Sequence, residues 1–123
     1  MENEFKDKVV IITGGAGGIG SDCVKEFAKC GAKVAVVDFN EELGKKVIEE
    51  VKAFGGEAKL YVVNILHSAE VNACVDQIIK DFGRIDILVN LAGGSARKNR
   101  HLFYEQSDEV FQNIIGVNLF GTF

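Results

Sequence analysis

The chain has 123 residues, 47% hydrophobic and 26% charged, with a net charge of −4, which fits one globular domain with one core and not two. The acidic balance argues against a nucleic-acid-binding surface, no apolar run reaches membrane-spanning length, and the polar start MENEFKDK does not read as a signal peptide. The three cysteines, Cys23, Cys30 and Cys74, are too few and too scattered for a disulfide framework or a metal site, so no metal is expected and the cytoplasm is the expected compartment.

The first element is VVIIT, Val9 to Thr13, a short β-branched apolar run. Lys33 to Asp38, Ala58 to Asn64 and Asp86 to Ala92 repeat its character. Apolar residues on both faces predict buried strands of a parallel sheet. Helical stripes lie between them: Ile19, Cys23, Phe27 and Cys30; then Leu43, Val47, Val51 and Phe54; then Val71, Val75, Ile78 and Phe82. Asn40 and Ser68 are placed as N-caps, and Gly31, Gly55 and Gly83 follow the helices where a left-handed residue ends the turn. A fourth helix begins near Ser107 or Asp108 and carries Phe111, Ile114, Ile115 and Leu119. The alternation predicts an α/β, Rossmann-type doubly wound parallel sheet of order 3-2-1-4, a single domain over residues 1–123 that stops within its fourth helix.

The glycines of IITGGAGGIG follow the first strand and open the first helix. In that context a tight turn needs the freedom of Gly14, Gly18 admits a pyrophosphate close to the backbone, and Gly20 lets helix and strand press together. Amides at the helix start, with the positive end of its dipole, suit phosphates. A P-loop does not fit, because Ser21 and Asp22 follow where Lys and Ser/Thr belong. Asp38 ends the second strand, where a carboxylate grips the hydroxyls of an adenosine ribose and repels a 2′-phosphate, so NAD is expected over NADP.

Thr13-Gly14-x-x-x-Gly18-Ile19-Gly20, then Asn90-Leu91-Ala92-Gly93, then the stretch from Gly116 to Phe123, resemble in order the TGxxxGIG, NNAG and VNLxG motifs of the short-chain dehydrogenase/reductase family. The resemblance implies that Gly14, Ile19 and Gly20 line the pyrophosphate and that Asp38 holds the ribose. It places Asn64 and Ile65 beside the adenine, and Asn90, Ala92 and Gly93 near the cofactor ribose. It makes Asn118 the active-site Asn whose backbone carbonyl helps hold a relay water. Leu91 replaces the second Asn of NNAG. Arg97, Lys98 and Arg100 read as a solvated loop, and His67 and His101 as surface residues without partners at useful spacing.

The family's chemistry uses a Tyr with a Lys four places later; Tyr61 is followed by Ile65 and Tyr104 by Asp108, so neither qualifies. The expectation is therefore the cofactor-binding half of an NAD-dependent oxidoreductase acting on a small alcohol or ketone, inactive as this chain alone. Its last strand, left as a bare apolar edge, would favour a homo-oligomer, a rearranged C-terminus or poor order after Gly93. A non-catalytic dinucleotide-binding module stays open as the alternative. A methyltransferase also places glycines after its first strand, but the later motifs speak against it.

Overall fold

The computed structural model describes residues 3–93 and 107–122. Four parallel strands, β1 (Val9–Thr13), β2 (Lys33–Asp38), β3 (Glu57–Val62) and β4 (Ile87–Asn90), lie in the order β3-β2-β1-β4. Helices α1 (Gly18–Lys29), α2 (Glu41–Ala53) and α3 (Ser68–Phe82) connect them, and α4 (Asp108–Ile115) runs into a π-helical turn, Gly116–Phe120. The expected class and strand order hold.

The two central strands are buried on both faces, as their β-branched runs require. Val10, Ile12, Val34 and Val36 point to one side, where they meet Val24 and Ala28 of α1 and Val47 and Val51 of α2. Val9, Ile11, Ala35 and Val37 point to the other, where they meet Cys74 and Ile78 of α3. Successive residues of a strand thus feed two separate cores, one on each side of the sheet. The outer strands differ from expectation: on β3 Glu57, Lys59 and Val62 are exposed, and on β4 Leu88 and Asn90 are exposed while Ile87 and Val89 are half-buried. Both are also shorter than the apolar runs suggested.

The stripe expected on α1 is displaced. Gly20, Val24 and Ala28 form its buried line, Cys23 and Phe27 flank the core, and Ile19 is 74% exposed. On α2, Gly44, Val47 and Val51 face inward, while Leu43 and Phe54 are exposed. In both cases a glycine occupies the buried position and a large apolar residue beside it faces out, which apolar periodicity alone misreads.

Asn40 caps α2 as expected, its side-chain oxygen accepting the Leu43 amide at 3.0 Å. Ser107 caps α4 in the same way through Val110 at 3.2 Å. Ser68 is instead the first residue of α3, and His67 occupies the cap position without a side-chain bond to the helix backbone. Gly31, Gly55 and Gly83 have φ of +91°, +83° and +84° at the helix ends.

The fourth helix does not continue as an α-helix to Leu119. Asn118 Nδ2 donates to the Ile114 carbonyl at 2.9 Å, the acceptor that an α-helix offers to a backbone amide four residues on. Such back-bonding bends helices, and here the following turn widens, with the Gly121 amide reaching the Gly116 carbonyl at 2.7 Å.

Candidate functional site

The glycine-rich loop is fastened to the C-terminal ends of three strands. Gly14 turns the chain with φ of +70°, and a Cβ there would stand 2.8 Å from the backbone of Leu91 and Ala92. Its amide donates to the Val37 carbonyl at 2.8 Å. Two residues on, the Ala16 amide donates to Asp38 Oδ2 at 2.9 Å. The loop closes on itself through Gly17 to the Gly14 carbonyl, and α1 starts with Ser21 to the Gly17 carbonyl.

The glycines serve different purposes. A Cβ at Gly20 would lie 2.0 Å from the Gly14 carbonyl oxygen, so that glycine is required by packing. At Gly18 a Cβ would meet nothing within 4 Å and the backbone has no positive φ. Neither the turn nor the packing of the chain explains a glycine there. Gly18 stands beside the fully turned-out Ile19 at the start of α1, where orphan amides and the helix dipole attract an anion.

Next to the loop lies a cleft of about 320 Å³, lined by Gly14, Val37, Asp38, Phe39, Val63, Asn64, Ile65, Leu66, Ala92, Gly93 and Val117. It brings together six of the residues singled out in the sequence: Gly14, Asp38, Asn64, Ile65, Ala92 and Gly93. Phe39, 74% exposed, stands at its rim. Val117 belongs to the stretch that resembles VNLxG, but nothing in that motif marked it as a cleft residue; Leu66 is an apolar residue in a non-repeating segment, without a pattern to mark it.

Asp38 is more engaged than a bare ribose-binding carboxylate. Oδ1 accepts the Asn40 amide at 2.9 Å while Oδ2 holds Ala16. Asn64 likewise uses its side-chain oxygen in a local turn, accepting the Leu66 amide at 3.0 Å. An amide oxygen and a carboxylate both keep further acceptor capacity after one such bond.

Asn90 does not line this cleft. It lies on an adjoining apolar cleft of about 380 Å³ against α3, which shares Val37, Val63 and Ile65 with the first and has Ile11, Cys74, Ile78 and Leu88 among its other lining residues, and its Oδ1 stands 3.5 Å from the Thr13 hydroxyl. Asn118 reaches the end of β4: its Oδ1 is 2.7 Å from where a Gly93 Cβ would be, so the glycine makes room for it. His67, expected to lack a partner, pairs through Nδ1 with Glu70 Oε2 on the exposed first turn of α3. Arg97, Lys98, Arg100, His101 and Tyr104 fall outside the described residues. The three thiols are unbridged; Cys74 is buried, whereas Cys23 and Cys30 are half-buried rather than core residues. Burial raises the Cys74 pKa. Among the described residues no group of three or more His, Cys, Asp or Glu could hold a metal, and no helix is long and apolar enough to cross a membrane.

Tyr61 is buried in β3 and stands apart from both clefts' polar groups. Its hydroxyl donates to Asp81 Oδ2 at 2.6 Å, alongside Lys59 Nζ at 2.7 Å, while Gln77 donates to Oδ1 at 2.9 Å. Burial, then the bond to Asp81, raises the phenol's pKa further above its ordinary range. The group ties the edge strand to α3.

The family model for short chain dehydrogenases matches residues 8–123. A Thermotoga maritima protein named as an uncharacterized oxidoreductase is 42% identical over 119 residues, which cover 97% of this chain and 45% of the relative. The citronellol catabolism dehydrogenase of Pseudomonas aeruginosa superposes with a TM-score of 0.89 at 30% identity, over 98% of this chain and 48% of that one. The 3-ketoacyl-(acyl-carrier-protein) reductase of Brucella melitensis, complexed with NADH, gives 0.85 at 34% identity, over 96% and 46%. The chain spans a little under half the length of each of these proteins.

Proposed function

The chain belongs to the short-chain dehydrogenase family, and from that membership we propose that it is the part of an oxidoreductase that binds a nicotinamide dinucleotide, with NAD(H) preferred over NADP(H). The observation that carries the reading is Gly18. It is a glycine that the chain's own backbone and packing do not demand, at a helix start that suits a diphosphate. The adjoining cleft supports it, with an acidic group at one side and apolar walls suited to a flat base.

In this reading the amides at the start of α1 hold the diphosphate, with Gly14, Ile19 and Gly20 about it. Asp38 receives the adenosine ribose hydroxyls through its remaining lone pairs. Phe39, Asn64, Ile65 and Leu66 enclose the adenine. Ala92 and Gly93 carry the chain toward the nicotinamide ribose, and Asn90, beside the Thr13 hydroxyl, stands where that turn leaves β4. Asn118 sits at the same end of the sheet, where the family resemblance gives it a place in proton transfer.

A bound nicotinamide supplies a ring carbon that takes or gives a hydride, and the substrate class proposed for the whole protein is a small alcohol or ketone. The residues of this chain contribute binding and orientation. Without a Tyr-x-x-x-Lys in its sequence, the chain by itself is proposed to lack a group that moves the substrate's proton. Leu88, 57% exposed on the edge strand β4, supports self-association.

Calorimetric titration with NADH, NADPH and S-adenosylmethionine tests the reading. NADH should bind tightest and NADPH weaker by roughly tenfold or more, because its 2′-phosphate meets a carboxylate. Tightest binding of S-adenosylmethionine contradicts it.

A further inference from the structure

We infer that Asp38 is a positioning residue for the phosphate-binding loop, and that through it the two halves of the cofactor's adenosine diphosphate are energetically coupled. The inference rests on the dinucleotide reading above and adds to it a second job for the same carboxylate. Asp38 and Ala16 are 22 residues apart in sequence, yet Oδ2 accepts the Ala16 amide at 2.9 Å in a partly buried setting. Oδ1 meanwhile accepts the Asn40 amide at 2.9 Å, which fixes the carboxylate plane at the end of β2. The loop therefore hangs on β2 at two points, Gly14 on the Val37 carbonyl and Ala16 on the Asp38 side chain.

The second of these ties is the one a substitution can remove. A hydrogen bond from an amide to a carboxylate is stronger than one between neutral groups. Ala16 lies between the turn at Gly14 and the helix start at Gly18, so its tether sets where the amides of Gly18, Ile19 and Gly20 stand. A carboxylate has about four acceptor sites; two are taken here, and the others remain for ribose hydroxyls. Ribose binding and diphosphate binding thus share one side chain.

This gives a test of sign. Coulomb's law alone says that removing a negative charge close to the loop tightens anion binding. If Asp38 positions the loop, removing it weakens anion binding although the anion touches no part of Asp38. The probe is inorganic pyrophosphate, which has no ribose. It is titrated into the nitrogen-15-labelled chain while the Gly18, Ile19 and Gly20 amide signals are followed, and Ala16 amide exchange is measured without ligand.

In Asp38→Ala, and in Asp38→Ser as a second loss variant, pyrophosphate binding should weaken by roughly tenfold and Ala16 exchange should quicken by a similar factor. Asp38→Asn has one oxygen for the two amides that Asp38 accepts, so it should restore part of both. Pyrophosphate binding that is unchanged or tighter in the Ala and Ser variants, or Ala16 exchange that does not respond, overturns the proposal. Failure of the cofactor reading looks different: the unaltered chain would not bind NADH, whatever the variants do with pyrophosphate.

Discussion

The Thr13 hydroxyl oxygen accepts the amide of Ala92 at 3.3 Å and that of Leu91 at 3.2 Å. One side chain at the end of β1 thereby holds the turn after β4, and with it Ala92 and Gly93 on the wall of the cleft. Thr13→Val keeps the shape and the β-branching but removes the acceptor. It should cost about 1 kcal/mol in a denaturation experiment and weaken NADH binding by several-fold, roughly in proportion. Thr13→Ser should recover most of the binding. Equal affinity in the Val variant would show that the turn is held by the rest of the sheet.

Gly20 is a packing glycine. Its Cβ would sit 2.0 Å from the Gly14 carbonyl oxygen, a backbone atom at the centre of the loop. Gly20→Ala gains helix propensity of about 1 kcal/mol, yet overpacking against backbone outweighs this by an expected net loss of about 1–3 kcal/mol. Urea denaturation measures it. A variant as stable as the unaltered chain would mean that the loop has room to move.

The strand order was legible because the sheet is parallel and its central strands read as unbroken β-branched runs, Val9 to Thr13 and Lys33 to Asp38. The glycine motif and Asp38 were legible for the same reason: each falls at the end of one of those runs. What the sequence concealed depends on contacts distant in the chain. The bond from Ala16 to Asp38 and the seating of Phe39 on the cleft follow from β1 and β2 lying side by side. Gly20 and Gly44 face the core where a stripe of larger residues pointed elsewhere. The π-turn at Gly116–Phe120 accompanies the side-chain bond from Asn118 to Ile114, which leaves no mark on apolar periodicity. Val117, within that turn, lines the cleft.

Asp81 carries the acid sensitivity of the β3–α3 contact. Hydrogen bonds from Lys59 first, then from Tyr61 and Gln77, hold its pKa down to about 2. A carboxylate whose folded pKa lies below its unfolded value stabilises the fold above the unfolded pKa, and that contribution fades as pH falls through the folded value. Asp81→Asn should therefore be less stable than the unaltered chain at neutral pH, with the gap narrowing between about pH 4 and pH 2. Thermal unfolding followed across this range checks it. A gap that stays constant down to pH 2 contradicts the assignment.

The cysteines give a chemical check on burial. Cys74 packs against the sheet with its thiol's pKa raised by that burial, whereas Cys23 and Cys30 are partly accessible. A thiol-specific reagent applied to the folded chain should modify Cys23 and Cys30 ahead of Cys74, with mass spectrometry of peptides giving the order. Early labelling of Cys74 would place α3 away from the sheet.

The account turns on Gly18, and calorimetry of NADH with the unaltered chain and with Gly18→Ala reads it most directly. A Cβ at Gly18 meets nothing in the protein, so the variant should fold with stability within about 1 kcal/mol of the parent. Its affinity for NADH should nevertheless fall by roughly tenfold or more, because the methyl group occupies the space proposed for the diphosphate. Undiminished binding in the variant, or no binding by the folded parent, would contradict the central claim.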